Sequence, residues 1–127
     1  LRLQLDPHGA DIAVTALQSA TEVELVAALI RLIAELGRPE HLPTVRRFAT
    51  SPNPVVRSQA VRALGALGDT AEVPLLERGL DDADPWASAN AARGLLSVGG
   101  PRLLERLAGA HPEHAGLLAR VAGEADA

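Results

Sequence analysis

The sequence predicts an all-α protein, an α-solenoid of about four helix pairs, and three observations carry that prediction. The first is an ungapped repeat: residues 54–68, Pro-Val-Val-Arg-Ser-Gln-Ala-Val-Arg-Ala-Leu-Gly-Ala-Leu-Gly, return at 85–99, 31 positions on. Ala60 falls on Ala91, Arg62 on Arg93, Leu64 on Leu95 and Gly68 on Gly99; the same step backwards sets Arg62 on Arg31, Leu64 on Ile33 and Gly68 on Gly37. A fixed period of roughly 20 to 50 residues marks stacked repeats, none of which buries its apolar face alone. The second is the spacing within a copy, where Val56, Ala60, Leu64 and Leu67 line one side of a helix. The third is composition. Hydrophobic residues make up 47% of the 127, yet there is one Trp, one Phe and no Tyr. A core of Ala, Leu, Val and Ile suits thin helical layers better than a thick globular interior.

Residues 1–6 alternate apolar and polar and locally resemble a strand, which Asp-Pro-His-Gly at 6–9 ends. A lone strand has nothing to pair with. Residues 1–10 therefore read as a tail or the remnant of a preceding repeat, and 11–127 as the repeat domain, with repeats at about 11–38, 39–69, 70–100 and 101–124. Asp11 is the expected cap of a short helix carrying Ile12, Val14, Ala16 and Leu17. Thr21 and Glu24 have the spacing of a capping box for a longer helix, whose apolar stripe is Leu25, Leu29, Ile33 and Leu36 and whose left-handed stop is Gly37.

After Pro39, Leu42, Val45 and Phe48 form the inward face of the next short helix. Ser-Pro-Asn-Pro at 51–54 breaks the chain, leaving Asn53 as cap and Pro54 at the first helical position, where its missing N–H costs nothing. Gly68 closes that helix, and Asp69 with Glu72 makes another capping box. The third pair repeats the scheme at 73–80 and from Asp84, the cap, through Pro85 to a stop at Gly99. Leu-Leu-Glu-Arg at 75–78 returns at 103–106, an offset of 28, so the fourth repeat opens with a shorter turn at Gly100-Pro101. Its last helix, near 112–122, is polar, as the end of a stack requires.

The totals exclude several classes of function. Without cysteine there is no disulfide frame, thiolate zinc site or cysteine nucleophile. All 12 basic residues are Arg, which removes a phosphate-loop lysine and a Schiff-base lysine together. The net charge of −4 gives no general attraction for nucleic acid or an anionic membrane. No apolar run reaches the roughly 18 residues of a membrane span, and no signal sequence opens the chain. A first residue of Leu rather than Met is expected of a piece excised from a longer protein.

The pattern Asn53-Pro-Val-Val-Arg-x-x-Ala-Val-Arg-Ala-Leu-Gly-Ala-Leu-Gly-Asp69, echoed by Asp84-Pro-Trp-x-x-x-x-Ala-Ala-Arg-Gly-Leu-x-x-x-Gly99, resembles the HEAT-repeat family, in particular its short bacterial form found in phycobilisome-lyase-like proteins. The resemblance covers about residue 11 to the end. It implies a right-handed, HEAT/ARM-like superhelix whose second helices line a concave groove. It also implies that Arg57 bonds across to an acidic residue of the adjacent repeat, although Val26 and Ser88 replace it in the neighbouring copies. Arg-only basic usage with abundant Ala and Gly suggests a GC-rich bacterial genome.

Opposite the core stripe, positions i, i+4, i+7 and i+11 give three equivalent rows: Glu24, Ala28, Arg31, Glu35; Val55, Gln59, Arg62, Ala66; and Trp86, Asn90, Arg93, Ser97. Arg31, Arg62 and Arg93 then form a ladder that grips carboxylates or phosphates of an extended partner. The plainer reading, which an acidic chain favours, has each Arg covering apolar surface and pairing internally, Arg31 with Glu35 for instance. Trp86 and Asn90 are similar to the Trp and Asn pairs with which armadillo repeats hold a peptide; the plainer reading packs a lone Trp against the next repeat.

The four histidines give no metal shell. His111 and His114 read as a solvated helix start, and His8 and His41 stand alone in turns. The His-Glu pairs with which HEAT-built hydroxylases hold iron are replaced here by Ser58-Gln59 and Ala89-Asn90.

The sequence thus points to a non-catalytic scaffold binding a protein or peptide at Arg31, Gln59, Arg62, Trp86, Asn90 and Arg93, without cofactor, metal, nucleic acid or small-molecule substrate. The expected location is the cytoplasm, with membrane contact only through an anchor upstream of the fragment, as the looser resemblance to anchored bacterial HEAT proteins implies. The alternatives are an accessory lyase of the bilin-handling type, against which stand the missing Cys and Tyr, and a purely structural segment of a longer solenoid.

Overall fold

The structure, a computed structural model, describes residues 7–126, so the strand-like stretch at 1–6 lies outside the described residues. Seven α-helices and three one-turn 3-10 helices fill the described residues, with no strand among them. In order they are α1 (Pro7–Leu17), α2 (Val23–Leu36), α3 (Leu42–Phe48), α4 (Pro54–Leu67), α5 (Val73–Gly79), α6 (Pro85–Ala110) and α7 (Ala115–Asp126). The 3-10 turns Pro39–His41, Thr70–Glu72 and Pro112–His114 precede α3, α5 and α7. The second helices α2, α4 and α6 pack side by side, and each of the short helices α1, α3 and α5 packs on its own partner. Seven residues, the length of α3 and of α5, cover only about 10 Å of axis, so the stack is carried by the longer layer.

One continuous core runs between the layers. Ile30, Ile33, Val45, Leu64, Leu76, Leu95, Leu118 and Val121 are its large, fully buried side chains. The repeated stripe predicted on α4 is there: Val56, Ala60 and Leu64 are buried and Leu67 packs at their edge. Two of the three predicted caps of the second helices also form. Asn53 Oδ1 accepts from Val55 N and Val56 N, and Asp84 Oδ2 accepts from Ala87 N, with Pro54 and Pro85 at the first helical positions.

Several local expectations change. The first helix begins at Pro7, so Asp11 lies within it instead of capping it, and its carboxylate is spent on His41. The second begins at Val23 after Glu22 with no side-chain cap, so Thr21 and Glu24 form no capping box. On α2 the buried face is Val26, Ala27, Ile30 and Ile33, and Leu25 is 48% exposed. An almost wholly apolar helix offers more than one candidate stripe, and packing against α1 and α4 chooses between them.

Gly37 (φ −77°) and Gly68 (φ −90°) close their helices in extended backbone, not in the left-handed region. What requires glycine there is space: an added Cβ would fall 2.4 Å from Ile33 O at Gly37 and 2.7 Å from Leu64 O at Gly68. The left-handed residue of the fold is Gly100 (φ 79°), which kinks α6 one position beyond the expected stop at Gly99 and lets residues 101–110 turn back as the first helix of the fourth pair.

Candidate partner-binding groove

The seam between α4 and the first part of α6 is set by glycine. A Cβ at Gly65 would lie 2.5 Å from Gly94 Cα, so the two backbones touch there with no side chain between them. Two hollows open along the seam, the second over this crossing. The first, of about 250 Å³, is lined by Val55, Ser58 and Gln59 of α4, by Trp86 and Asn90 of α6, and by Pro54 and Asp84 at the helix starts. The second, of about 220 Å³, is lined by Arg62, Gly65 and Ala66 of α4 and by Asn90, Arg93, Gly94 and Ser97 of α6. Five of the six residues singled out in the sequence are thus brought together; Arg31 stands one helix away on α2, exposed, and lines neither hollow.

Trp86 does not pack on the next repeat. It is 73% exposed, and Val55 beside it is 53% exposed, so the first hollow has an apolar wall open to solvent. Gln59, which also lines it, has a buried side-chain Oε1 with no hydrogen-bond partner within the fold. A buried carbonyl left unpaired costs about 1–3 kcal/mol. Asn90 plays another part than its likeness to the armadillo Asn implies. Its Nδ2 donates to Ser58 O (3.1 Å) and Ser58 Oγ (2.9 Å), tying α6 to α4, while its Oδ1 accepts from Arg93 Nη1 at 3.3 Å. Asn90 therefore shapes both hollows and joins them.

The arginine ladder divides. Arg31 and Arg62 make no ion pair or hydrogen bond among the described residues, and Glu35 does not pair with Arg31. Arg93 lies against Glu124 of α7, Nε to Oε1 at 3.2 Å and Nη2 to Oε2 at 3.4 Å, both side chains nearly half exposed. Internal pairing accounts for one rung of three.

Charged side chains also bridge successive repeats. Arg57 reaches Asp82 of the next repeat bidentately (2.8 and 2.9 Å) and also donates to Ser51 O and Pro52 O, so the expected cross-repeat bond forms where the motif supplies an Arg. The guanidinium holds the Asp82 carboxyl below its ordinary range. Glu72, only 2% exposed, takes two bonds from Arg46 (2.6 and 3.1 Å), so it is a buried bridge to the preceding repeat and not half of a capping box; Asp69 caps alone, through Ala71 N.

Three of the histidines are likewise bridges. His41 is buried, accepting from Arg38 N at Nδ1 and meeting Asp11 at Nε2 (2.7 Å). His111 meets Glu77 at 2.6 Å, which raises its pKa, and His114 meets Asp81 at 2.7 Å. These pairs join residues 25 to 34 positions apart, about one repeat. The sequence signal for them is opposite charge at the repeat offset.

A further hollow, about 630 Å³, lies elsewhere, where the three-residue-shorter turn at Gly100 leaves Thr70, Val73 and Pro74 facing Arg102, Leu103 and Arg106. It withholds no polar atom from solvent, unlike the seam. Among the described residues no cluster of three or more His, Asp or Glu forms a metal site, and no helix is long and apolar enough to cross a membrane.

Fold and groove together define an α-solenoid of stacked helix pairs with a recessed seam on its longer layer. A family profile for HEAT repeats matches residues 10–97, more than half of the chain, and the protein belongs to the HEAT-repeat family. Repeats of this family are in general non-catalytic scaffolds for protein–protein interaction. No curated protein matches the chain significantly.

Proposed function

We propose that this chain is a non-catalytic interaction module that holds a segment of a partner protein along the seam lined by Gln59, Arg62, Trp86, Asn90 and Arg93, with Arg31 on the flank. The observation that carries the reading is the first hollow: the chain's one Trp stands 73% exposed on its wall, beside an exposed Val55. An exposed indole is a poor use of apolar surface unless something covers it, and indoles are common anchors in binding sites. No set of titratable groups converges on the seam in the arrangement acid–base or nucleophilic catalysis requires.

The test is selection of displayed peptide segments on the 127-residue chain, followed by binding to the Trp86→Ala/Arg62→Glu double variant. Selected segments shift the emission of Trp86 and lose binding to the double variant, while helicity and melting temperature stay nearly unchanged, because both side chains project from the fold. Binding that survives in the double variant would place the partner elsewhere.

A further inference from the structure

We infer that the segment held by this seam carries an apolar side chain and, three residues along the chain, a carboxylate; the inference rests on the groove reading above. The two hollows differ in chemistry and share Asn90. The first offers apolar walls, Val55 and Trp86. The second is a bare glycine floor between two guanidinium groups, Arg62 without a partner and Arg93 with one.

Charge decides what enters the second hollow. In a chain of net charge −4, neither α4 nor residues 85–99 of α6 contain a single Asp or Glu, and their groove-facing charges are Arg62 and Arg93 alone. Arg93 already donates through Nε and Nη2 to the Glu124 carboxylate, which shows that a planar anion fits this side of the guanidinium. Asp84 stands at the Trp86 end of the seam, so a carboxylate placed in the first hollow would meet like charge. The acid therefore belongs with Arg62 and the apolar group with Trp86.

Geometry fixes the spacing. The lining residues on α4 shift by about seven positions between the hollows, from 55–59 to 62–66, which at about 1.5 Å per helical residue is roughly 10 Å. A segment lying along the seam in the polyproline II conformation advances about 3.1 Å per residue with about three residues per turn, so it covers that distance in about three residues and turns both side chains to the same face.

The experiment uses capped synthetic peptides of Gly, Ser and Ala bearing one Leu and one Glu three positions apart, titrated into the chain with Trp86 emission as the readout. Companion peptides replace Glu with Gln or Lys, or place Glu next to Leu. The expected result is binding about tenfold tighter for the spaced Leu–Glu peptide than for its Gln version, weakening with salt. Arg62→Gln, checked for unchanged helicity, removes that preference, and Glu124→Gln, which frees Arg93, strengthens it.

Equal affinity for the Glu and Gln peptides, equal affinity at the shorter spacing, or a preference that persists in Arg62→Gln overturns the inference. So does a set of library-selected segments that need Trp86 and Arg62 but share no such spacing; in that case the groove reading stands. If no segment of either kind shifts Trp86, both fail.

Discussion

Replacing Gly65 with Ala sets two effects of opposite sign against each other. In a helix interior, Gly→Ala is favourable by about 1 kcal/mol, because alanine has fewer unfolded conformations to lose. Here the new methyl carbon would lie 2.5 Å from Gly94 Cα, where ordinary contact begins at 3.4 Å. The obstruction is backbone on a buried helix, so no side chain can swing aside, and α4 and α6 must part by about 0.9 Å. A gap of about 0.5–1 Å forfeits a quarter to a half of each dispersion contact it opens. The contacts at stake along this interface include Val61, Leu64, Ala91 and Leu95, all buried. Overpacking of this kind costs about 3 kcal/mol at the upper end of its usual range, leaving a net loss of about 2 kcal/mol after the helical gain. For a chain of this length that lowers Tm by about 5–10 °C.

The control is Gly123→Ala on α7, where an added Cβ meets nothing within 4 Å; it is expected to raise Tm by a few degrees. Thermal melts followed by circular dichroism compare the two. A Gly65→Ala protein that melts at or above the parent temperature would show that the α4–α6 crossing is looser than described and that glycine there serves no close approach.

The bridges give further predictions. Arg46→Ala strands Glu72, which is 2% exposed, and should cost about 2–3 kcal/mol in denaturant unfolding, less than the usual 3–5 for a buried pair because water follows where the half-exposed Arg46 is cut away. Adding Glu72→Gln should recover part of that loss. Asp82 titrates below its ordinary 3.8, chiefly because Arg57 bonds its carboxylate. The stability it adds is therefore present above about pH 4 and lost as pH falls through the lower folded value. The Tm gap between parent and Asp82→Asn should accordingly close toward acid. His111 titrates above its ordinary 6.5 through Glu77. The sign is opposite: its contribution is full below about pH 6.5 and fades as pH rises through the folded value. The gap between parent and His111→Gln should close toward alkali, and a gap that widens there would refute the Glu77 pairing.

Periodicity made the architecture legible. Pro54, Ala60, Leu64 and Gly68 recur at one offset, and a repeated apolar stripe has one economical solution, which is to stack. The caps at Asn53 and Asp84 were legible for a related reason, since they act within four residues of their own helix. The groove was legible in part. Its residues follow from the face opposite the core, but the commitment of Asn90 to Ser58 and the openness of Trp86 depend on how far apart two helices sit.

Short-range chemistry and the repeat interval were thus determined by the sequence itself: helices, their starts, the stacked class of fold and the outward rows. Tertiary structure decided what depends on distance between repeats. The same Gly can end a helix by left-handed backbone or by leaving room, and only packing distinguished Gly100 from Gly37 and Gly68. A Glu three residues after an Asp can complete a cap or cross to another helix, and the position of Arg46 settled it for Glu72. Apolar stripes on α2 compete until a neighbour covers one of them. In each case the local energies of the alternatives differ by about 1 kcal/mol, while burial against a neighbouring repeat is worth several, so the neighbour decides.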